Sequence, residues 1–91
     1  MREAELRVLA RLHGAACVLG KPIFLSPRAI DAENVRAARR LALRLAERRL
    51  VSRRLTQTGY EFAIRSGGWH AIGAERPRVA KALRQRIERT V

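Results

Sequence analysis

Acid, aromatic rings and cysteine are all in short supply in this chain. Of 91 residues only 8 are Asp or Glu, against 20 Lys and Arg, which leaves a net charge of +12. A small domain with that excess repels itself unless something anionic lies against it. Nucleic acid is the commonest such partner, and an anionic membrane surface comes next. Eighteen of the 20 basic residues are Arg. A GC-rich genome can explain Arg in place of Lys, but it leaves the shortage of acid unexplained. Phe24, Tyr60, Phe62 and Trp69 are the whole aromatic complement. The core must therefore come from Leu, Ala, Val and Ile. So few rings argue against a stacking platform for single strands or RNA. The basic helices also lack the Trp or Phe anchors of a membrane-surface helix. Cys17 stands alone, which excludes an internal disulfide and with it a secreted disulfide scaffold. No apolar run approaches the length of a membrane span. The opening Met-Arg-Glu-Ala-Glu has no signal-peptide core. The expectation is a cytoplasmic protein, nucleoid-associated if its partner is DNA.

What is present is enough for one domain. Apolar residues make up 47% of the chain, too many for a disordered tail, and the length allows one modest core. Ala4, Val8, Leu12, Ala15 and Leu19 recur at helical spacing and predict a first helix over residues 3–19, stopped by Gly20. Lys21-Pro22 opens a short extended piece, Ile23-Phe24-Leu25. Ser26-Pro27 is a helix-start signal and predicts a short second helix over 26–31.

The clearest element is a helix over 33–48. Val35, Ala38, Leu41, Ala42 and Leu45 share its apolar face. Arg36, Arg39, Arg40, Leu43, Arg44 and Glu47 fill the opposite one. The period then changes to two. Val51, Arg53 and Leu55 alternate on one side of a run, and Tyr60, Phe62 and Ile64 on one side of the next. Thr56-Gln57-Thr58-Gly59 lies between them. This predicts a hairpin over 50–65. Ser66-Gly67-Gly68 reads as a break, and Trp69 to Ile72 as a short strand or turn. Val79, Leu83 and Ile87 give a final helix over 75–90, with Pro77 near its start.

The order of elements, and above all the stretch Leu41-Ala-Leu-Arg-Leu-Ala-Glu-Arg-Arg-Leu-Val-Ser-Arg-Arg-Leu55, resembles the winged helix-turn-helix family of DNA-binding proteins. The resemblance spans Leu25 to Arg65, about half the chain. It implies an α+β fold, mainly α with a small β-hairpin: a three-helix core, a wing at 50–65 and an additional C-terminal helix. It also makes 33–48 the recognition helix. One departure stands out. Many members carry glycine just before the Leu-Val pair that starts the wing, and Arg49 holds that place here.

An α-helix fits the major groove of B-DNA, where Arg can bond guanine edges or reach phosphates. Arg36, Arg39, Arg40 and Arg44 form a basic ridge on the predicted recognition helix, and Asn34 adds a polar group at its start. Arg28 in the short helix is a phosphate candidate. Arg53 and Arg54 fall on opposite sides of a wing strand, so only one can face the duplex. Gln57 and Thr58 at the tip suit a backbone or minor-groove contact, or are an ordinary polar turn. Tyr60 and Phe62 are expected to pack under the wing.

His13 and Cys17 lie one helical turn apart, but zinc asks for three or four ligands and only His70 remains. Cys17 reads as a small core residue. No metal, cofactor or small-molecule ligand is expected. No nucleophile–base pair, carboxylate pair or phosphate-binding Gly-rich loop is present, so an enzyme is not expected. The stripe on 75–90 either closes the core or pairs across a two-fold axis, and a homodimer on a palindromic site is the expectation taken. Three functions remain in competition. One is a DNA-binding transcriptional regulator of duplex DNA. Another is a non-specific architectural or RNA-associated protein. The last is a protein-interaction module of a larger assembly.

Overall fold

The computed structural model describes residues 1–79 of the chain. Its elements are α1 (Glu3–Leu19), α2 (Pro27–Ile30), α3 (Val35–Glu47), β1 (Val51–Thr56), β2 (Gly59–Ile64) and α4 (Ser66–Ala71). The fold is thus α+β, with helices packed around a two-stranded antiparallel hairpin.

Short polar side chains set the starts of α2 and α3. Ser26 Oγ accepts the Ala29 N–H at 3.2 Å, and Pro27 follows at the first helical position, where its missing N–H costs nothing. Asp31 Oδ1 accepts the N–H groups of Glu33 and Asn34 at 3.0 and 3.2 Å and turns the chain out of α2. Asn34 Oδ1 then caps α3 by accepting the Ala37 N–H at 3.4 Å. The helix expected over 33–48 is therefore shorter at its start, because Glu33 and Asn34 are spent on the turn and the cap. Gly20, at φ 71°, ends α1 in the left-handed conformation.

The end of α3 is a six-residue closure. The Leu50 N–H bonds the Leu45 carbonyl and the Arg49 N–H bonds the Ala46 carbonyl, each at 3.0 Å. That pair of bonds is the Schellman motif, whose pivotal residue is left-handed and usually glycine. Here Arg49 takes it, at φ 60°. At this corner an arginine holds the left-handed conformation that glycine adopts most readily.

In the hairpin, Val51 pairs with Ile64, Arg53 with Phe62, Leu55 with Tyr60 and Thr56 with Gly59. Gln57 and Thr58 form the tip. The Thr56 hydroxyl donates to the Gly59 carbonyl at 2.8 Å and accepts the Thr58 N–H at 3.3 Å, which ties the turn together. Leu25 flanks β2 on its other edge, exchanging both backbone bonds with Phe62 at 2.7 and 2.8 Å. Phe62 thereby sits mid-sheet and is fully buried.

The core joins Val8, Leu9, Leu12 and Ala16 of α1 to Ile30, to Ala38, Ala42 and Leu45 of α3, and to Val51, Phe62 and Ile64 of the hairpin. The small Ala38 and Ala42 face inward on α3. Glu5, nearly buried, takes an ion pair from Arg48 at 3.1 Å and ties α1 to the end of α3.

Several expectations change. Leu43, expected among the exposed arginines, is half-buried against the core, so α3 buries a wider face than one stripe. Cys17 is half-buried rather than a core residue, with Sγ 3.8–3.9 Å from the His13 ring nitrogens. Ser66-Gly67-Gly68 does not break the chain but begins α4. Gly68 is buried where a Cβ would lie 2.6 Å from Ile64 Cδ1 and would collide with the Leu50 carbonyl. Its glycine serves close approach, not a turn. The helix expected over 75–90 does not start at Glu75: residues 75–79 carry no helix, and the remainder lies outside the described residues. Pro77 disfavours a helical Arg76 before it. The His13 Nε2–H also donates to the Glu75 carbonyl at 2.8 Å, pinning the segment against α1.

Candidate nucleic-acid interface

Arg36, Arg40 and Arg44 follow one another at four-residue spacing along α3, and all three are exposed. They form a single line down the face opposite Ala38 and Leu45. Glu47 falls at the end of the same face. Four ion pairs occur among the described residues: Arg7–Glu3, Arg48–Glu5, Arg54–Glu61 and Arg78–Glu75. None involves Arg36, Arg39, Arg40 or Arg44.

Arg39 leaves the line. It sits on the flank of α3 that faces the hairpin, with its guanidinium carbon 5.9 Å from the centre of the Tyr60 ring. Arg53 reaches the same ring from β1, at 5.8 Å. Cations at this range are drawn to the negative face of an aromatic ring by about 0.5–1 kcal/mol at exposed sites. Tyr60 is half-buried, tilted against Phe62 with ring centres 6.3 Å apart. It packs against the buried Phe62 near the turn end of the hairpin, and it also gathers two cations. That second role was missed because it depends on where α3 lies beside β2.

Arg28 belongs to the same neighbourhood. A groove of about 460 Å³ runs between the α2–α3 corner and the hairpin tip, lined by Arg28, Arg39, Thr58 and Tyr60 among others. Arg28, Arg39 and Thr58 are thus brought together with Tyr60. Gln57 is exposed at the tip and has no side-chain hydrogen bond among the described residues, whereas Thr58 shares a 3.2 Å hydroxyl contact with Thr56.

Two expected site residues are otherwise engaged. Asn34 spends its side-chain oxygen on capping α3. Arg54 is neutralised in place: its Nε and Nη2 donate to Glu61 Oε1 at 2.8 and 2.7 Å, and its guanidinium carbon lies 4.1 Å from the Phe24 ring centre. Of Arg53 and Arg54, Arg53 is the one without an ion-pair partner among the described residues.

On α1, Arg7 is held by Glu3 at 2.8 Å, and that guanidinium keeps the Glu3 carboxyl below its ordinary pKa. Among the described residues no group of three or more His, Cys, Asp or Glu could hold a metal ion. No helix among them is long and apolar enough to cross a membrane.

Comparison with known proteins finds no matching family model, no matching curated protein and no matching solved structure.

Proposed function

We propose that this chain is a DNA-binding protein of the winged helix-turn-helix type, reading duplex DNA with α3 in the major groove and the hairpin on the backbone. The observation that carries the reading is the unpaired line Arg36–Arg40–Arg44. A solvated face ordinarily intersperses acids with its bases, and this one does so only at Glu47. The bridge from Leu25, in the segment between α1 and α2, to Phe62 of β2 supports the same type of fold. A transcriptional regulator in the cytoplasm, bound to the nucleoid, is the role proposed.

A second reading draws on Asn34. Bidentate recognition of adenine needs both the oxygen and the nitrogen of an amide side chain. Asn34 Oδ1 is committed to Ala37. The ridge then offers arginines alone, which serve phosphates as readily as guanines. This favours a non-specific architectural DNA-binding protein as the alternative. A homodimer is also proposed; Val18 and Leu19 near the end of α1, with Leu55 on β1, are among the exposed apolar residues the described chain offers to a second copy.

The test is fluorescence anisotropy on labelled duplex, with unrelated duplex and structured RNA as competitors. The regulator reading expects one duplex sequence to resist competition by about a thousandfold or more. Equal competition by every duplex selects the architectural reading. Preference for RNA, or no binding, overturns both.

A further inference from the structure

We propose that Arg53 and Arg39 together hold one backbone phosphodiester at the Tyr60 ring, and that Arg54 contributes no such contact. The inference rests on the DNA-binding reading above and specifies the contact at the joint between helix and hairpin.

Arg39 comes from α3 and Arg53 from β1; both lie within 6 Å of one ring centre, at 5.9 and 5.8 Å, and neither has an ion-pair partner among the described residues. Two guanidiniums gathered without an anion are a seat for one. The groove beside Tyr60 adds Arg28 on its far wall. Glu61 also lines that groove, but its Oε1 already takes two N–H groups of Arg54. The Arg54–Glu61 pair is thus a neutral unit, and Arg54 is further settled over Phe24 at 4.1 Å. A strand leaving the major groove at α3 and passing the hairpin crosses this joint. A phosphodiester carries one negative charge and several acceptor oxygens, so it can take N–H groups from two guanidiniums at once. Tyr60 positions the pair: its ring keeps both cations close while leaving their N–H edges free to donate.

The experiment measures duplex affinity as a function of salt for the parent, Arg53→Gln and the double variant Arg54→Gln/Glu61→Gln. The double variant removes the pair without leaving a bare carboxylate near the groove. Each phosphate neutralised contributes about 0.9 to the slope of log affinity against log salt. Arg53→Gln leaves Arg39 alone at the phosphate, so it is expected to lower the slope by up to about that amount and, at 0.1 M salt, to weaken binding by up to about eightfold relative to the 1 M intercept. The double variant is expected to keep the parental slope. Thermal melting of all three confirms that each is folded. If the parent binds and Arg53→Gln keeps its full slope, or the double variant loses as much as Arg53→Gln, the assignment is overturned alone. If the parent shows no salt-dependent duplex binding, the DNA-binding reading falls and takes this assignment with it.

Discussion

Leu50 donates its backbone N–H to the Leu45 carbonyl at 3.0 Å, and this bond closes α3 over a left-handed Arg49. Both leucines also pack in or against the core. The corner that aims the hairpin relative to α3 is therefore held by hydrogen bonds and apolar contact, against the backbone preference of the residue at its pivot.

Arg49→Gly should stabilise the protein. A non-glycine residue in the left-handed region costs about 1–2 kcal/mol, and glycine gives back roughly 0.5–1 kcal/mol through its freer unfolded chain. The net gain is about 0.5–1 kcal/mol, a rise in Tm of roughly 2–8 °C for a domain of this size. Thermal melting checks it, and a fall in Tm would mean that the Arg49 side chain stabilises more than its backbone conformation costs.

Two other glycines should respond in opposite directions. Gly14 lies exposed inside α1 with nothing near the place of a Cβ, so Gly14→Ala should add about 0.5–1 kcal/mol through helix propensity. At Gly68 a Cβ meets the Leu50 carbonyl and Ile64, so Gly68→Ala should cost about 1–3 kcal/mol or more. Denaturant midpoints for the two variants should move apart around the parent. Similar shifts for both would contradict the close packing of Gly68 against Leu50 and Ile64.

Asn34 separates capping from recognition. Asn34→Ala should cost about 1 kcal/mol, and Asn34→Ser or Asn34→Asp should recover most of it. Asn34→Asp also places a carboxylate at the start of the arginine line, so it should weaken duplex binding while Asn34→Ser leaves it unchanged. Paired melting and binding curves read both effects. A loss of binding in Asn34→Ser with full stability would assign the amide to the DNA instead.

Glu3 carries an acid-side pH effect tied to a named partner. The Arg7 hydrogen bond, with its charge, lowers the Glu3 pKa in the folded chain from its ordinary 4.5. A carboxylate with a depressed folded pKa contributes stability that is present above 4.5 and lost as pH falls through the folded value. Carboxyl NMR titration should find the Glu3 midpoint below 4.5 in the parent and back near it in Arg7→Gln. An unchanged midpoint would show that Arg7 is free, and α1 would then join the cationic surface.

Much of this architecture was readable from local pattern. The 3.6-residue period of Val35, Ala38, Ala42 and Leu45 and the two-residue period around Thr56 to Gly59 are carried by the chain itself. Ser26 and Asp31 announce their turns by side-chain chemistry. What was not readable depends on contact between distant segments. Gly67-Gly68 looked like a break because its packing partners, Leu9 and Leu50, are not its neighbours in sequence. The Tyr60 cluster needs α3 beside β2, and Glu5 meets Arg48 only after α1 folds across α3. Arg54–Glu61 was closer to hand: once Thr56 pairs with Gly59, the register puts those two opposite each other. Counting back from the turn would have removed Arg54 from the candidate DNA-binding residues.

The most direct test of the account is the salt dependence of duplex binding for the parent, for Arg40→Gln/Arg44→Gln and for Arg78→Gln. Arg78 is exposed, paired with Glu75 and remote in the chain from α3. At about 0.9 per phosphate contact, the double variant should lose up to roughly 1.8 from the slope. Its affinity should fall steeply, while Arg78→Gln should match the parent. Equal slopes and affinities for all three proteins would contradict a DNA-reading role for α3.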